Sequence, residues 1–315
     1  MKYDIVSVGE PMYEFSQMPG RNREYLQGFG GDTMNCLVAA ARQGARVAYL
    51  TRLGDDDFGR QFLELWKNEG IDTSGVTIDV AAHTAVYFIS HGPDGHVFSY
   101  LRTGSAASRM TPAHLARELL CATRFVHTSG ITQAISASAC DTAFAAIDMA
   151  RSAGAQLVYD ANLRPRLWPL RRARAIVAET MRLSQLFLLS MEDAEALCGL
   201  DAPDAILDWC LKNGATRVVL KLGAEGVLAG DAKERRKVAG FRVDAVDATG
   251  AGDCFAGTLI ARLSAGDDFW VALRYANAAA ALTCTGFGAV GPLPRPEAVL
   301  SLLARSAHPV AADKA

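Results

Sequence analysis

The sequence predicts an α/β protein: a central, mostly parallel sheet with helices on both faces and a small β-sheet lid. Short β-branched runs alternate with longer helical patterns along most of the chain, and such alternation places crossover helices over a parallel sheet. Two segments, about 11–32 and 83–104, break this rhythm and read as antiparallel ribbon.

The elements follow in order. A first strand covers residues 5–8, and the chain enters it from Tyr3 without the pattern of a signal peptide. A helix over 33–43 is stopped by Gly44, strand 47–50 follows, and a helix over 58–69 ends at Gly70. Later strands fall at 125–127, 156–160, 186–189 and 217–220, with helices near 141–153, 171–183 and 203–212. Segments 83–90 and 96–102 flank Gly92-Pro93-Asp94-Gly95, a strong hairpin signal. A lid over the carboxyl ends of the strands and a plain surface hairpin fit this spacing equally.

At 315 residues the chain can form one large α/β domain or two ordinary ones. With no internal repeat or long linker, the expectation is one domain over 1–308 and a frayed tail over 309–315. Half the residues are apolar, so a sizeable core is available. A net charge of −2 argues against nucleic acid or an anionic membrane as partner. No run of 18 apolar residues offers a bilayer span. The seven cysteines (36, 121, 140, 198, 210, 254 and 284) form no CxxC pair, as expected for buried free thiols in a reducing cytoplasm.

The most informative stretch is Asp247-Ala248-Thr249-Gly250-Ala251-Gly252-Asp253, opening a helix that continues through Leu263. Two glycines let an anion approach the backbone. The amides of Gly250, Ala251 and Gly252 then point from a helix N-terminus, whose bare donors and dipole favour phosphate. A carboxylate inside an anion site makes sense when a hydroxyl must lose a proton beside a phosphoryl group. Helix capping is the plainer role for an Asp, but Asp247 or Thr249 can supply that, leaving Asp253 for chemistry. Gly286-Phe287-Gly288-Ala289-Val290-Gly291 spells GxGxxG, yet it follows a helix and precedes Pro292, so no dinucleotide context exists. No Walker-A loop is present. The histidines lack metal-ligand spacing, and His91 and His96 are expected at the surface.

The 247–253 stretch resembles the C-terminal signature of the ribokinase-like (PfkB) family. Gly30-Gly31-Asp32-Thr33-Met34-Asn35, Leu53-Gly54-Asp55-Asp56-Asp57-Phe58-Gly59 and Lys221-Leu222-Gly223-Ala224-Glu225-Gly226 resemble its other motifs, in family order over nearly the whole chain. The resemblance implies a sugar kinase using ATP and Mg²⁺, and leaves K⁺ assistance open. It implies Asp253 as base, with Gly250, Ala251 and Gly252 as the anion hole. Asn162, Ser190, Lys221, Gly223, Gly226, Thr249 and Asn277 are implied at ATP, although helix core competes as the reading of Asn277. The family's Asn-x-x-Glu element appears as Ser190-Met191-Glu192-Asp193, which implies a water-mediated metal contact through Asp193 or Glu192. Where some relatives carry a substrate-reaching Asp near Gly286, Phe287 stands here.

Within the family, the Gly31–Asn35 motif, residues 100–108 and residues 159–168 resemble 2-keto-3-deoxygluconate kinases. That implies Gly31, Asn35, Tyr87, Tyr100, Arg102 and Arg164 at the sugar. The carboxylate of a keto sugar acid suits two arginines, whereas Arg166, Arg171 and Arg172 read as surface residues. Kinases for fructose or 2-keto-3-deoxygalactonate, and a silent sugar-binding protein on the same fold, are the alternatives. The resemblance also suggests homodimers joined through the lid sheets, whose exposed ribbon edges supply a physical motive.

Overall fold

A computed structural model of the chain describes residues 1–18, 20–92 and 95–307. The turn expected at Pro93 and Asp94 and the tail expected after Pro309 lie outside these residues, as do the side chains of His91 and His96.

The chain begins with β1 (Tyr3–Val8), β2 (Met12–Met18), β3 (Arg21–Gly30), α1 (Asp32–Arg42), β4 (Val47–Gly54) and α2 (Asp57–Asn68). Then come β5 (Val76–Asp79), β6 (Ala85–Gly92), β7 (Gly95–Leu101), α3 (Arg117–Leu120), β8 (Thr123–Ser129), α4 (Gly130–Ala134) and α5 (Ala137–Ser152). The middle holds β9 (Gln156–Asp160), α6 (Leu170–Leu183), β10 (Leu186–Ser190), α7 (Met191–Cys198), α8 (Pro203–Lys212) and β11 (Arg217–Lys221). It closes with β12 (Gly226–Asp231), β13 (Arg235–Ala239), α9 (Ala251–Ala265), α10 (Phe269–Thr283) and α11 (Pro296–Ala307).

Among the described residues, the central sheet runs β13-β12-β11-β10-β9-β8-β1-β4-β5. Every pairing from β11 through β5 is parallel. The β11–β12 and β12–β13 pairings are antiparallel, because the short turns between these strands leave no room for a crossover helix. Alternation along each parallel strand sends side chains to opposite faces. Ile5, Val158, Leu188 and Val219 join one apolar core, while Val6, Tyr159, Phe187 and Val218 join the other. Strand order reverses between β1 and β8, so a crevice opens at their carboxyl ends, where open α/β sheets bind ligands.

The lid is a second sheet in the order β3-β2-β6-β7. Its two hairpins are antiparallel as expected, but they join through a parallel β2–β6 pairing with Met12 opposite Ala85. Both strands leave the core sheet from its carboxyl side and therefore run in the same direction.

Helix starts follow local caps. The helix expected from 141 begins at Ala137, because Ser136 Oγ accepts from the Ala139 N–H at 2.9 Å. A short helix, α7, stands where the sequence offered only the Ser190–Asp193 motif. Cys121 is exposed, and Cys198 and Cys284 are half-buried, so the expectation of uniformly buried thiols holds for only four of the seven, all of them free.

Candidate active site

Helix α9 starts without a side-chain cap. Gly250 takes the N-cap position in the left-handed conformation (φ 76°), which suits glycine alone at little cost. The expected capping by Asp247 or Thr249 does not occur. Asp247 Oδ1 accepts instead from the Thr249 N–H (2.9 Å) and hydroxyl (2.6 Å), and Oδ2 accepts from the Gly288 N–H (2.9 Å). Asp247 thus folds the loop before the helix and ties it to the 286–291 loop. Gly252 and Asp253 lie in the first turn, where no intrahelical acceptor exists. Among the described residues no acceptor meets the Gly250 N–H. The Ala251 amide, expected in the anion hole, turns back to the Ala248 oxygen at 3.2 Å because the chain tightens there into a turn. Three donors therefore remain, at 250, 252 and 253.

Asp253 owes its position to close helix packing. A Cβ on Gly257 would come 1.9 Å from the Cys36 carbonyl oxygen, so α9 and α1 touch backbone to backbone there. This contact brings Asn35 Nδ2 to Asp253 Oδ2 at 2.8 Å. Asn35 Oδ1 is buried without a donor among the described residues. Burial pushes the Asp253 carboxyl up to about 7, with Asp32 and Asp160 adding to the rise and Asn35 and Lys221 opposing it. A narrow cleft lies against Asp253, walled in part by Asp32, His127, Asp160 and Asn162. A wider depression near Arg151 and Gln185 gathers no carboxylate.

Lys221 supplies positive charge next to the bare amides. Its Nζ lies 3.5 Å from where a Gly252 Cβ would stand and pairs with Asp160 Oδ2 at 2.7 Å. Burial alone would lower its pKa, but Asp160, Asp193 and Asp253 outweigh that and raise it, so the ammonium stays charged. Asp193 is bonded as a cap. Its Oδ2 accepts from the Ser190 N–H (2.8 Å) and its Oδ1 from the Leu163 N–H (2.7 Å), while Ser190 Oγ accepts from the Asp193 N–H (3.1 Å). These bonds fasten the loop after β9 to the end of β10 and occupy both Asp193 oxygens.

The remaining expected residues are spread over several elements. Gly31 (φ 108°) starts α1, and a Cβ there would strike the Glu10 carbonyl at 2.3 Å. Asn162, with φ of 31°, donates to Asp32 Oδ2 at 2.9 Å. Gly223 and Gly226 shape the turn after β11, both with positive φ. Asn277 is buried in α10, and its amide donates to the Val238 (3.0 Å) and Ala239 (3.2 Å) oxygens, which braces β13 and agrees with the helix-core alternative. In the lid, the Tyr87 hydroxyl donates to the buried Glu14, and the Tyr87 ring stacks on Tyr100 with centroids 6.1 Å apart. Arg102 pairs with Glu10. Arg164 is exposed and donates to its neighbour's carbonyl, Leu163 O, at 3.1 Å. No contact among the described residues joins the two arginines.

Several residues at the site escaped sequence reasoning. Asp32 and Asp160 sit inside recognisable motifs but carried no assigned role. Glu10 follows Gly9 at a strand end, a position that signals function in such sheets. His127 gave no signal, being a lone histidine in an apolar strand; Ser7 Oγ meets its Nδ1 at 2.8 Å, and burial lowers its pKa to about 4. The GxGxxG look-alike forms the wall behind α9, held by Arg42 Nη1 donating to the Val290 (2.9 Å) and Leu293 (2.6 Å) oxygens.

Comparison with known proteins agrees with this geometry. The family profile described as "pfkB family carbohydrate kinase" matches residues 2–296. A 2-dehydro-3-deoxygluconokinase from Thermoproteus tenax is 32% identical over 95% of this chain and 94% of its own. Fructokinase-1 from Oryza sativa subsp. japonica is also 32% identical, over 95% of this chain and 97% of its own. The crystal structure of a fructokinase from Xylella fastidiosa with bound ATP superposes with a TM-score of 0.88 at 25% identity, covering 98% of this chain and 100% of that one. Sheet order, lid, bare helix terminus and sequence all lead to one assignment: the chain belongs to the pfkB family of carbohydrate kinases.

Proposed function

We propose that this sugar kinase transfers a phosphoryl group from ATP to a hydroxyl of 2-keto-3-deoxy-D-gluconate, forming the 6-phosphate. The observation that carries the chemistry is Asp253, partly buried in the first turn of an uncapped helix with Lys221 beside the same turn. Asn35 holds Oδ2, which leaves Oδ1 to accept the proton of the sugar hydroxyl. The amides of Gly250, Gly252 and Asp253, with Lys221, stabilise charge on the passing phosphoryl group. The bare donors and the partly buried ammonium fit a phosphate chain. ATP supplies the transferred group and Mg²⁺ offsets its charge. The described residues hold no cluster of three metal-ligating side chains, so Mg²⁺ would be held by phosphates, with Asp193 or Glu192 reaching it through water.

A carboxylate on the substrate is favoured by Arg102 and Arg164, which lie at the lid return and at the end of β9. Relatives of equal identity include a fructokinase, so fructose and 2-keto-3-deoxygalactonate are the competing substrates. An intact Asp253 with its partners argues against a silent sugar-binding protein. Seven free cysteines suit a reducing cytoplasm.

The test is ADP release on a panel of keto-deoxy sugar acids and neutral hexoses, with Arg102→Leu and Arg164→Leu beside the parent. We expect the keto-deoxy acid to give the highest kcat/KM and each replacement to raise its KM at least about tenfold. Faster turnover of fructose would remove the sugar acid as substrate, and normal keto-acid KM in both variants would remove the arginine clamp.

A further inference from the structure

Transfer of a phosphoryl group gives no role to the buried pair formed by Glu10 and Arg102. Glu10 lies two residues past the end of β1, and its side chain is fully enclosed, while that of Arg102 keeps 11% of its surface. One Glu10 oxygen takes an Arg102 Nη2–H, and the other accepts the Ser105 hydroxyl at 2.9 Å. Arg102 lies 5.6 Å from the Tyr100 ring centroid, and Tyr100 stacks on Tyr87. The Arg102 Nε–H is buried with no acceptor among the described residues. Its hydrogen bonding is therefore unfinished, and its charge is already matched by a carboxylate that no ligand can reach.

We infer that Glu10 is the positioning residue that sets the selectivity of the sugar site: it holds Arg102 at the lid return and offsets its charge, and so decides how strongly an acidic sugar is preferred over a neutral one. This rests on the proposal that the substrate is a sugar acid. A guanidinium with a permanent partner gains less from a second carboxylate than a lone one does, because the first pairing has already reduced the field around it. The internal pair keeps Arg102 in one geometry before substrate arrives. Identity at residue 10 should thus alter acid binding and neutral binding by different factors, which a brace serving stability alone would not do.

The experiment measures Kd for 2-keto-3-deoxy-D-gluconate and for its neutral C1 amide by calorimetry without nucleotide, in the parent, Glu10→Gln and Glu10→Asp. Glutamine removes the charge but can still accept from Arg102, and the Ser105 hydroxyl can turn to accept from its amide. The amide-to-acid Kd ratio should rise about tenfold in Glu10→Gln. Aspartate keeps the charge, so it protects folding if the glutamine variant proves unstable. Being one methylene shorter, it draws Arg102 back toward β1, and the same ratio should fall several-fold. Parallel changes for both ligands in whichever variants fold would overturn the inference and leave Glu10 a brace. Should the parent itself show no preference for the acid, the sugar-acid reading fails first, and the inference with it.

Discussion

As the proposed base, Asp253 has to combine two demands that conflict in water. A base must be able to lose its proton near neutrality, yet hold a proton well enough to take one from an alcohol. Burial and the neighbouring Asp32 and Asp160 carboxylates move it up to about 7, so kcat/KM should rise with pH through that region as the carboxylate forms. Replacing Asp32 with Asn removes a like charge, and the acid limb of the kcat/KM profile should shift to lower pH; a shift upward would contradict the electrostatic account. Asp253→Asn should retain ligand binding by calorimetry while kcat falls by about 10²–10⁴. The sign of the stability effect follows from the same shift. The folded protein holds this proton where the unfolded chain, with a pKa near 3.9, has released it. The contribution is full below about pH 4 and is lost as pH rises through about 7. Melting temperature measured from pH 4 to 8 should fall less steeply in Asp253→Asn than in the parent.

Elements deliver these residues through packing that tolerates little change. Helices α1 and α9 meet where Gly257 faces the Cys36 carbonyl at a distance no Cβ can occupy. Gly257→Ala should force the helices apart and cost about 1–3 kcal/mol, read as a lower denaturation midpoint. It should also lower kcat, because the Asn35–Asp253 bond bridges the same interface. An unchanged midpoint would mean that the helices can slide without loss. Much at this scale was legible in the sequence: the 247–253 motif gave the loop and helix start, and Gly44 and Gly70 gave helix ends. Other features were not legible. That Asp247 organises Thr249 and Gly288 instead of capping α9, and that Ala251 turns its amide away, depend on a left-handed Gly250 and a loop about forty residues downstream. The short α7 opens on a local Ser190–Asp193 capping box, but the tie from the other Asp193 oxygen to the Leu163 N–H, in the loop after β9, has no local signal.

At the scale of the molecule, the lid is a mixed sheet whose edge strands β3 and β7 expose Tyr25, Leu26, Val97 and Leu101. Pairing of such edges between two copies would cover them, and the proposed lid dimer predicts that Leu101→Lys shifts the sedimentation coefficient toward monomer; an unchanged coefficient, or a monomeric parent, would refute it. The sequence by itself determined the alternating α/β order, the two lid segments and the helix start after the 247–250 loop, because periodicity, glycine stops and short motifs are local properties. Only the tertiary structure decided which charges meet. Glu10 with Arg102, Lys221 with Asp160, and Asn35 with Asp253 are separated by 92, 61 and 218 residues. No local pattern encodes those pairings; they arise because the core sheet, the lid and the α1–α9 contact bring distant segments to one crevice, where burial compels polar groups to find partners.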